Sequence, residues 1–515
     1  MTGLLLFFCV FVMVTSPHAD AKNQGNEADA LLKWKASFDK QSKEILSSWI
    51  GNNPCSSIGL SWEGIICDNN SKSINKIDLT SFELKGTLQS LNFSSLPKIQ
   101  KLVLRNNFFY GVIPYHIGVM SNLNTLDFSQ NYLYGSIPNS IGNLSKLSHI
   151  DLSENDISGI IPFEIGMLAN ISILLLYNNT LTGHIPREIG KLVNVKELYF
   201  GMNSLYGFIP QEIGFLKQVG ELDLSVNHFS GPIPSTIGNL SNLRHLYLHS
   251  SHLTGNIPTE VGNLYSLQSF QLLRNNLSGP IPSSIGNLVN LDNILLQINN
   301  LSGPIPSTIG NLTNLTWLQL FSNALSGNIP TVMNKLTNFR ILELDDNNFT
   351  GQLPLNICVS GELTWFTASN NHLSGSIPKQ LGSLSMLLHL NLSKNMFEGN
   401  IPVEFGQLNV LEDLDLSENF LNGTIPAMFG QLNHLETLNL SHNNLSDISY
   451  NQLEGPIPSI PAFQKTPIEA LRNNKDLCGN ASSLKPCPTS SGKHNTHKTN
   501  KKLVVVLPIT LGIFC

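Results

Sequence analysis

Leu414-Asp415-Leu416-Ser417-Glu418-Asn419-Phe420-Leu421-Asn422-Gly423-Thr424-Ile425-Pro426 is one copy of a pattern that returns along most of the chain. Counting back from Gly423 in units of 24 residues meets a glycine at every step, 14 in all, down to Gly111. Two residues after each glycine stand Ile or Leu and then Pro, as in Ile113-Pro114, Ile233-Pro234 and Leu353-Pro354. Four residues before it stands Asn, as in Asn131, Asn227 and Asn419, with Ser251 the one exception.

An unbroken period of this length defines a solenoid of leucine-rich repeats rather than the three or four separate domains that 515 residues would otherwise suggest. Leu414 and Leu416 alternate with Asp413, Asp415 and Ser417, the period of a short strand with one buried and one exposed face. Asn419 turns inward, where its amide has the donors and the acceptor to satisfy backbone groups of neighbouring turns. Gly423 permits a backbone conformation or close approach that a Cβ would obstruct. Pro426, without an N–H, suits an irregular convex segment. Leu411, Leu414, Leu416, Leu421, Ile425 and Leu432 share one interior, so turns must stack and stability becomes a sum over neighbours. The expected fold is an α/β leucine-rich repeat solenoid with a parallel β-sheet on its concave face and a cap at each end.

Charged residues make up 13% of the chain, with a formal net charge of −6 and no basic stripe along the strands, so nucleic acid is excluded as a partner. Of the seven cysteines, four fall in pairs just outside the repeats, Cys55 with Cys67 and Cys478 with Cys487, an arrangement that fits disulfides in an oxidising compartment.

Read in order, residues 1–21 form a signal peptide, with an apolar run from Leu4 to Val14 and cleavage after Ala21. Residues 22–73 form an N-terminal cap, opened by an amphipathic helix over Asn26 to Phe38 with Asn26 as N-cap and Leu31, Trp34 and Phe38 on one face. Repeats fill 74–458. The next asparagines after Asn419 are Asn443 and Asn451, only eight apart, so a shortened repeat lies near 444–451, and either Leu438 to Asn443 or Ile448 to Asn451 must leave the stack. Local disorder or strain is expected between Leu438 and Leu453. A C-terminal cap over 459–488 and a polar, basic linker over 489–502 lead to Leu503–Cys515, thirteen mostly apolar residues. As a helix these reach about 20 Å against a hydrocarbon core of about 30 Å, the beginning of a membrane span.

With the helix, the Trp62-Glu63-Gly64-Ile65-Ile66-Cys67 stretch, the Gly-x-Ile-Pro half of each repeat and Leu477-Cys478-Gly479, the chain resembles the ectodomain of a plant leucine-rich repeat receptor-like kinase from Asn26 to Cys515. The resemblance implies a plasma-membrane protein whose extracellular region senses a peptide or other protein ligand on the inner face and recruits a shorter leucine-rich repeat co-receptor. No Gly-rich phosphate loop, His-Arg-Asp loop or Asp-Phe-Gly site occurs, so the chemistry of phosphoryl transfer is absent from this sequence and no cofactor is implied. A soluble inhibitor or decoy secreted to the apoplast is the second reading.

Outward strand positions are free to vary without harming the fold. Several copies carry a plain Asp or Asn followed by Ser: Asp127 and Ser129, Asp151 and Ser153, Asp223 and Ser225, Asn391 and Ser393, Asp415 and Ser417. A middle block departs from this with Tyr177, Tyr199, Met202, Tyr247, His249, Gln271, Arg274 and Gln297, continuing through Trp317, Gln319, Phe321, Glu343, Asp345, Asp346 and Trp365. Aromatics on a solvated face supply most binding energy in interfaces. At about 4.8 Å per strand the block covers about 40 Å, the reach of an extended peptide. Glu343, Asp345 and Asp346 suit a basic ligand residue and Arg274 a carboxylate.

No metal site is read from His245, His249 and His252, because about 13 Å separates His245 from His249 along a strand. Sixteen Asn-x-Ser/Thr sequons include candidate glycosylation sites at Asn92, Asn143, Asn239, Asn311 and Asn480, although Asn-Leu-Ser also recurs as part of the repeat itself.

Overall fold

The computed structural model describes residues 17–55, 61–70, 72–357 and 362–445, with side chains from Asn26 onward, and three short strands at Glu454–Pro456, Asp476–Cys478 and Val504–Val505. The signal peptide up to residue 16, Cys358, Cys487, Asn480, the Ile448–Asn451 half of the shortened repeat, and nearly all of the C-terminal cap, linker and apolar segment lie outside the described residues. The described chain falls into two units, Met1–Tyr206 and Gly207–Cys515.

In the first unit, six parallel strands (Ile74–Asp78, Lys101–Val103, Thr125–Asp127, His149–Asp151, Ile173–Leu175 and Glu197–Tyr199) carry the outward positions. The antiparallel strand Ile65–Cys67 closes the sheet against Ile74–Asp78. In the second unit, ten parallel strands run from Glu221–Asp223 to Thr437–Asn439, each paired to the next at a register offset of one repeat, as in Leu318↔Leu342 and Leu342↔Phe366.

The inward leucines leave no gap: Leu411, Leu414, Leu416 and Leu421 are 0% exposed. Asn419 does what its position asks. Its Nδ2 donates to the carbonyls of Leu392, Leu416 and Ser417 at 3.0, 3.1 and 3.1 Å, and its Oδ1 accepts from the Phe397 N–H at 3.0 Å. One side chain therefore satisfies four backbone groups over two turns. Gly423 holds φ at +76°, the left-handed region that a side chain disfavours.

The Gly-x-Ile-Pro half is more ordered than an irregular segment. A second set of parallel strands forms around the glycines, as where Met396–Asn400 pairs with Phe420–Asn422. Each Ile-Pro then leads into a five-residue 3-10 turn such as Val403–Gln407. Proline opens these turns because its missing N–H falls where no bond is required.

The cap differs from expectation at its start. The helix runs Pro17–Ala36, so Asn26 lies within it and caps nothing, and Asp29 pairs with Lys33 at 2.7 Å. The helix passes through Gly25 and Asn26 against their low helix propensity, with Ala28 and Ala30 favouring it beyond them. Phe38 lies past its end yet is buried. Trp34 sits among Phe38, Trp49 and Phe109 at ring distances of 5.0, 6.4 and 5.7 Å. Cys55 and Cys67 are disulfide-bonded, with Cα atoms 5.7 Å apart.

At the shortened repeat, Leu438 to Asn443 keeps its place. Thr437–Asn439 pairs with Asp413–Asp415, and Asn443 Nδ2 donates to the Leu416 carbonyl at 2.9 Å.

Candidate functional site

The plain rungs explain themselves. Asp415 Oδ1 accepts from the N–H and Oγ of Ser417 at 2.9 and 2.6 Å, and Asp127 does the same for Ser129. Such an Asp–Ser pair finishes the strand and spends its polar groups on its own backbone. Strands without it have groups available for something else.

In the first unit, Tyr177 and Tyr199 meet edge to face at 6.3 Å, and the Tyr177 hydroxyl donates to Glu154 at 3.0 Å. Burial raises the Tyr177 phenol above its ordinary value. The same unit holds a group that sequence inspection overlooked: Asp127, His149 and Asp151 bring one ligating atom each within 4.8 Å of one another. His149 and Asp151 share a strand face and Asp127 pairs in register with Asp151, so the period alone would have placed them together. Both aspartates already serve the serine two residues on, and burial is the main cause that raises Asp151.

The second unit carries the rest. Tyr247 lies on the ring of His245 at 6.1 Å, half-buried, and burial raises its phenol. Burial pushes His249 below the ordinary imidazole range, with Asp223 opposing weakly. Arg274 is exposed, its backbone in the left-handed region at φ +53°. Trp317 and Trp365 stand 43% and 36% exposed on alternate strands with Ile341 between them. Trp365 also packs on His389 at 3.9 Å, and His389 Nδ1 meets Asp413 at 2.5 Å. Phe321 is half-buried four residues after Trp317.

Three side chains form a relay. Gln297 Nε2 donates to Gln319 Oε1 at 3.1 Å, and Gln319 Nε2 donates to Glu343 Oε2 at 2.6 Å. The carboxylate sets the direction, since it can only accept while ionised. Gln297 Oε1 is consequently left buried without a partner. Burial raises Glu343 above the usual carboxylate range, with Asp345 a smaller contributor.

Asp345 has a different employment from the one its charge suggests. It occupies a position where other repeats have Ser, and it accepts from Thr367 Oγ1 and from the N–H and Oγ of Ser369 at 2.7 Å each. It thus ties its own turn to the next, leaving Glu343 and Asp346 as the acids facing out. Asp346 in turn accepts from Asn370 at 2.8 Å. Of the candidate glycosylation sites, Asn92, Asn143, Asn239 and Asn311 lie among the described residues and are exposed at the borders of 3-10 turns.

This architecture is that of a leucine-rich repeat solenoid. Residues 222–353 match the leucine-rich repeat region, residues 24–68 the leucine-rich repeat N-terminal domain, and residues 97–157, 386–408 and 410–456 further leucine-rich repeats. The chain belongs to the plant leucine-rich repeat receptor family. It is 42% identical over 98 residues to MDIS1-interacting receptor like kinase 2 of Arabidopsis thaliana, a match covering 19% of this chain and 9% of the kinase. It is 35% identical over 106 residues to the nodulation receptor kinase of Pisum sativum, covering 20% and 11%.

Among solved structures, a TDR receptor superposes with a TM-score of 0.69 at 35% identity, over 72% of this chain and 64% of that one. The plant peptide hormone receptor RGFR1, solved in complex with RGF2, superposes with a TM-score of 0.64 at 32% identity, over 77% and 74%. The matches to the two kinases span about a tenth of their length. No helix among the described residues is long and apolar enough to cross a membrane.

Proposed function

We propose that this chain is the extracellular recognition region of a plant receptor kinase, and that the strand face of its second unit binds an extended peptide. The observation that carries the reading is the pair Trp317 and Trp365, large aromatics held open to solvent at the strand position where the repeats around them place Asn293, Ile341 and His389. A rigid ring with two rotatable bonds gives contact area at low entropic cost. The likeness to a peptide hormone receptor solved with its ligand supports the same reading. The bound peptide then completes a surface for a leucine-rich repeat co-receptor, and the segment from Leu503 tethers the region to the plasma membrane. Signalling belongs to kinase domains outside this sequence.

The test is binding of a synthetic library of twelve-residue peptides to the secreted chain. Members that bind saturably should lose about ten-fold or more in affinity to Trp317→Ala and to Trp365→Ala, the loss expected of central aromatic contacts. Peptides that bind both variants as well as the parent would place the site elsewhere.

A further inference from the structure

A cavity of about 490 Å³ opens between the strands His245–Tyr247, Ser269–Gln271 and Asn293–Leu295, and it reaches back to Asp292. Its volume lies in the range of pockets that hold small ligands or single side chains. We propose that this pocket receives an arginine side chain of the peptide bound to the strand face, an inference that rests on the peptide-sensing reading.

The lining is polar and carries one negative charge. Gln271 Nε2 donates to Ser269 Oγ at 3.1 Å, and Ser269 Oγ donates to Asn293 Oδ1 at 2.7 Å. These bonds use up a donor of Gln271 and leave its Oε1 as an acceptor. Asp292 accepts at Oδ1 from Thr316 Oγ1 at 2.8 Å and at Oδ2 from Asn293 Nδ2 at 3.4 Å, and brings a full negative charge to the rim. His245 Nδ1 is buried with no partner at all.

No Lys or Arg lines the cavity to answer these groups. A carboxylate or phosphate would meet like charge here, and an apolar side chain would leave the Asp292 carboxylate and the Gln271 carbonyl unanswered. A guanidinium offers five N–H donors in a flat fork and a permanent positive charge. The Tyr247 ring, stacked on His245 at an interplanar angle of 21°, adds a face on which such a plane can lie. Lysine brings the charge but not the plane, and so fills fewer acceptors.

The full chain, purified from a secretory host, is titrated with N-acetyl-arginine amide and with N-acetyl-citrulline amide, its uncharged isostere, by ligand-observed NMR. Arginine amide should bind saturably and citrulline amide about ten-fold more weakly, since a charge-assisted bond is at stake. Asp292→Asn, which keeps the bond to Thr316, should lose a similar factor, and Gln271→Ala should lose several-fold. Asp415→Asn, on a distant rung, should bind as the parent does. Equal binding of the two probes, parental affinity in Asp292→Asn, or absence of saturation each overturns the pocket. Library peptides that weaken on Trp317→Ala but are indifferent to exchange of arginine for citrulline overturn the pocket and leave the peptide site standing. A saturable arginine site in a chain that captures no library peptide supports the pocket and overturns the peptide reading.

Discussion

Ser251 stands where thirteen other repeats have asparagine, and the cost is visible. Its Oγ is buried without a partner, whereas Asn275, one turn on, donates to three carbonyls and accepts from the Leu253 N–H at 3.0 Å. A hydroxyl is too short to reach across two turns. Ser251→Asn should therefore stabilise the second unit by about 1–3 kcal/mol, the worth of restoring buried hydrogen bonds. A rise in the denaturant midpoint would show it, and an unchanged midpoint would mean that the ladder position tolerates water. The opposite sign applies at Gly238. A Cβ there would lie 2.2 Å from the backbone oxygen of Glu260 and 2.7 Å from its Cβ, contacts that only a shift of the adjoining 3-10 turn can relieve. Gly238→Ala should cost about 1–3 kcal/mol by overpacking, read from the same midpoint.

The cap helix brings a titrating group into the core. Glu27 is fully buried, its Oε2 accepts from the Ile74 N–H at 3.1 Å and its Oε1 has no partner. Burial pushes the carboxyl from its ordinary 4.5 up to about 7, against the smaller pull of that hydrogen bond. An acid whose folded-state pKa lies above its unfolded value binds its proton more tightly when folded. The cap is thus most stable below about pH 4.5 and loses stability as pH rises to about 7, by about 3 kcal/mol in all. Glu27→Gln keeps the acceptor for Ile74 and removes the titration. Hydrogen exchange of the helix amides, corrected for intrinsic rate, should show protection falling between pH 5 and pH 7.5 in the parent and staying level in the variant. Protection that falls equally in both would exonerate Glu27. The helix also shows what a sequence hides. Leu31, Trp34 and the disulfide pair were legible because burial pattern and cysteine spacing are local. The helix start was not, because Gly25 and Asn26 have the low helix propensity of a boundary and the helix nonetheless runs through them. Outward positions show the same divide: Trp317 and Trp365 declare themselves by type. The relay Gln297–Gln319–Glu343 and the internal work of Asp345 depend on which side chains meet across offsets of 22 and 24 residues. The period fixes those offsets, but rotamers decide which of them become bonds.

In a stacked fold, each turn rests on its neighbours alone, so the second unit should be only as firm as its poorest interface. A weak interface among the described turns is legible at Thr331–Lys335. Other 3-10 turns carry glycine at the fourth position, as Gly286 and Gly310 do, and each lets the next turn come close. Here the position is Asn334, whose Oδ1 is buried without a partner. The side chain holds a polar atom away from water at a place where the pattern wants no side chain at all. Asn334→Gly removes that atom at the expense of some backbone entropy, for a net gain of about 1 kcal/mol. If turns are independent beyond their neighbours, the gain should appear as slower hydrogen exchange in the strands Trp317–Gln319 and Ile341–Glu343. Strands several turns away, such as Glu221–Asp223 and Asp413–Asp415, should exchange as before. A uniform slowing over the whole unit would instead show that it opens as one cooperative body, and a ligand bound at Trp317 would then stabilise every turn alike. A local response means that a peptide on this face firms only the turns it touches.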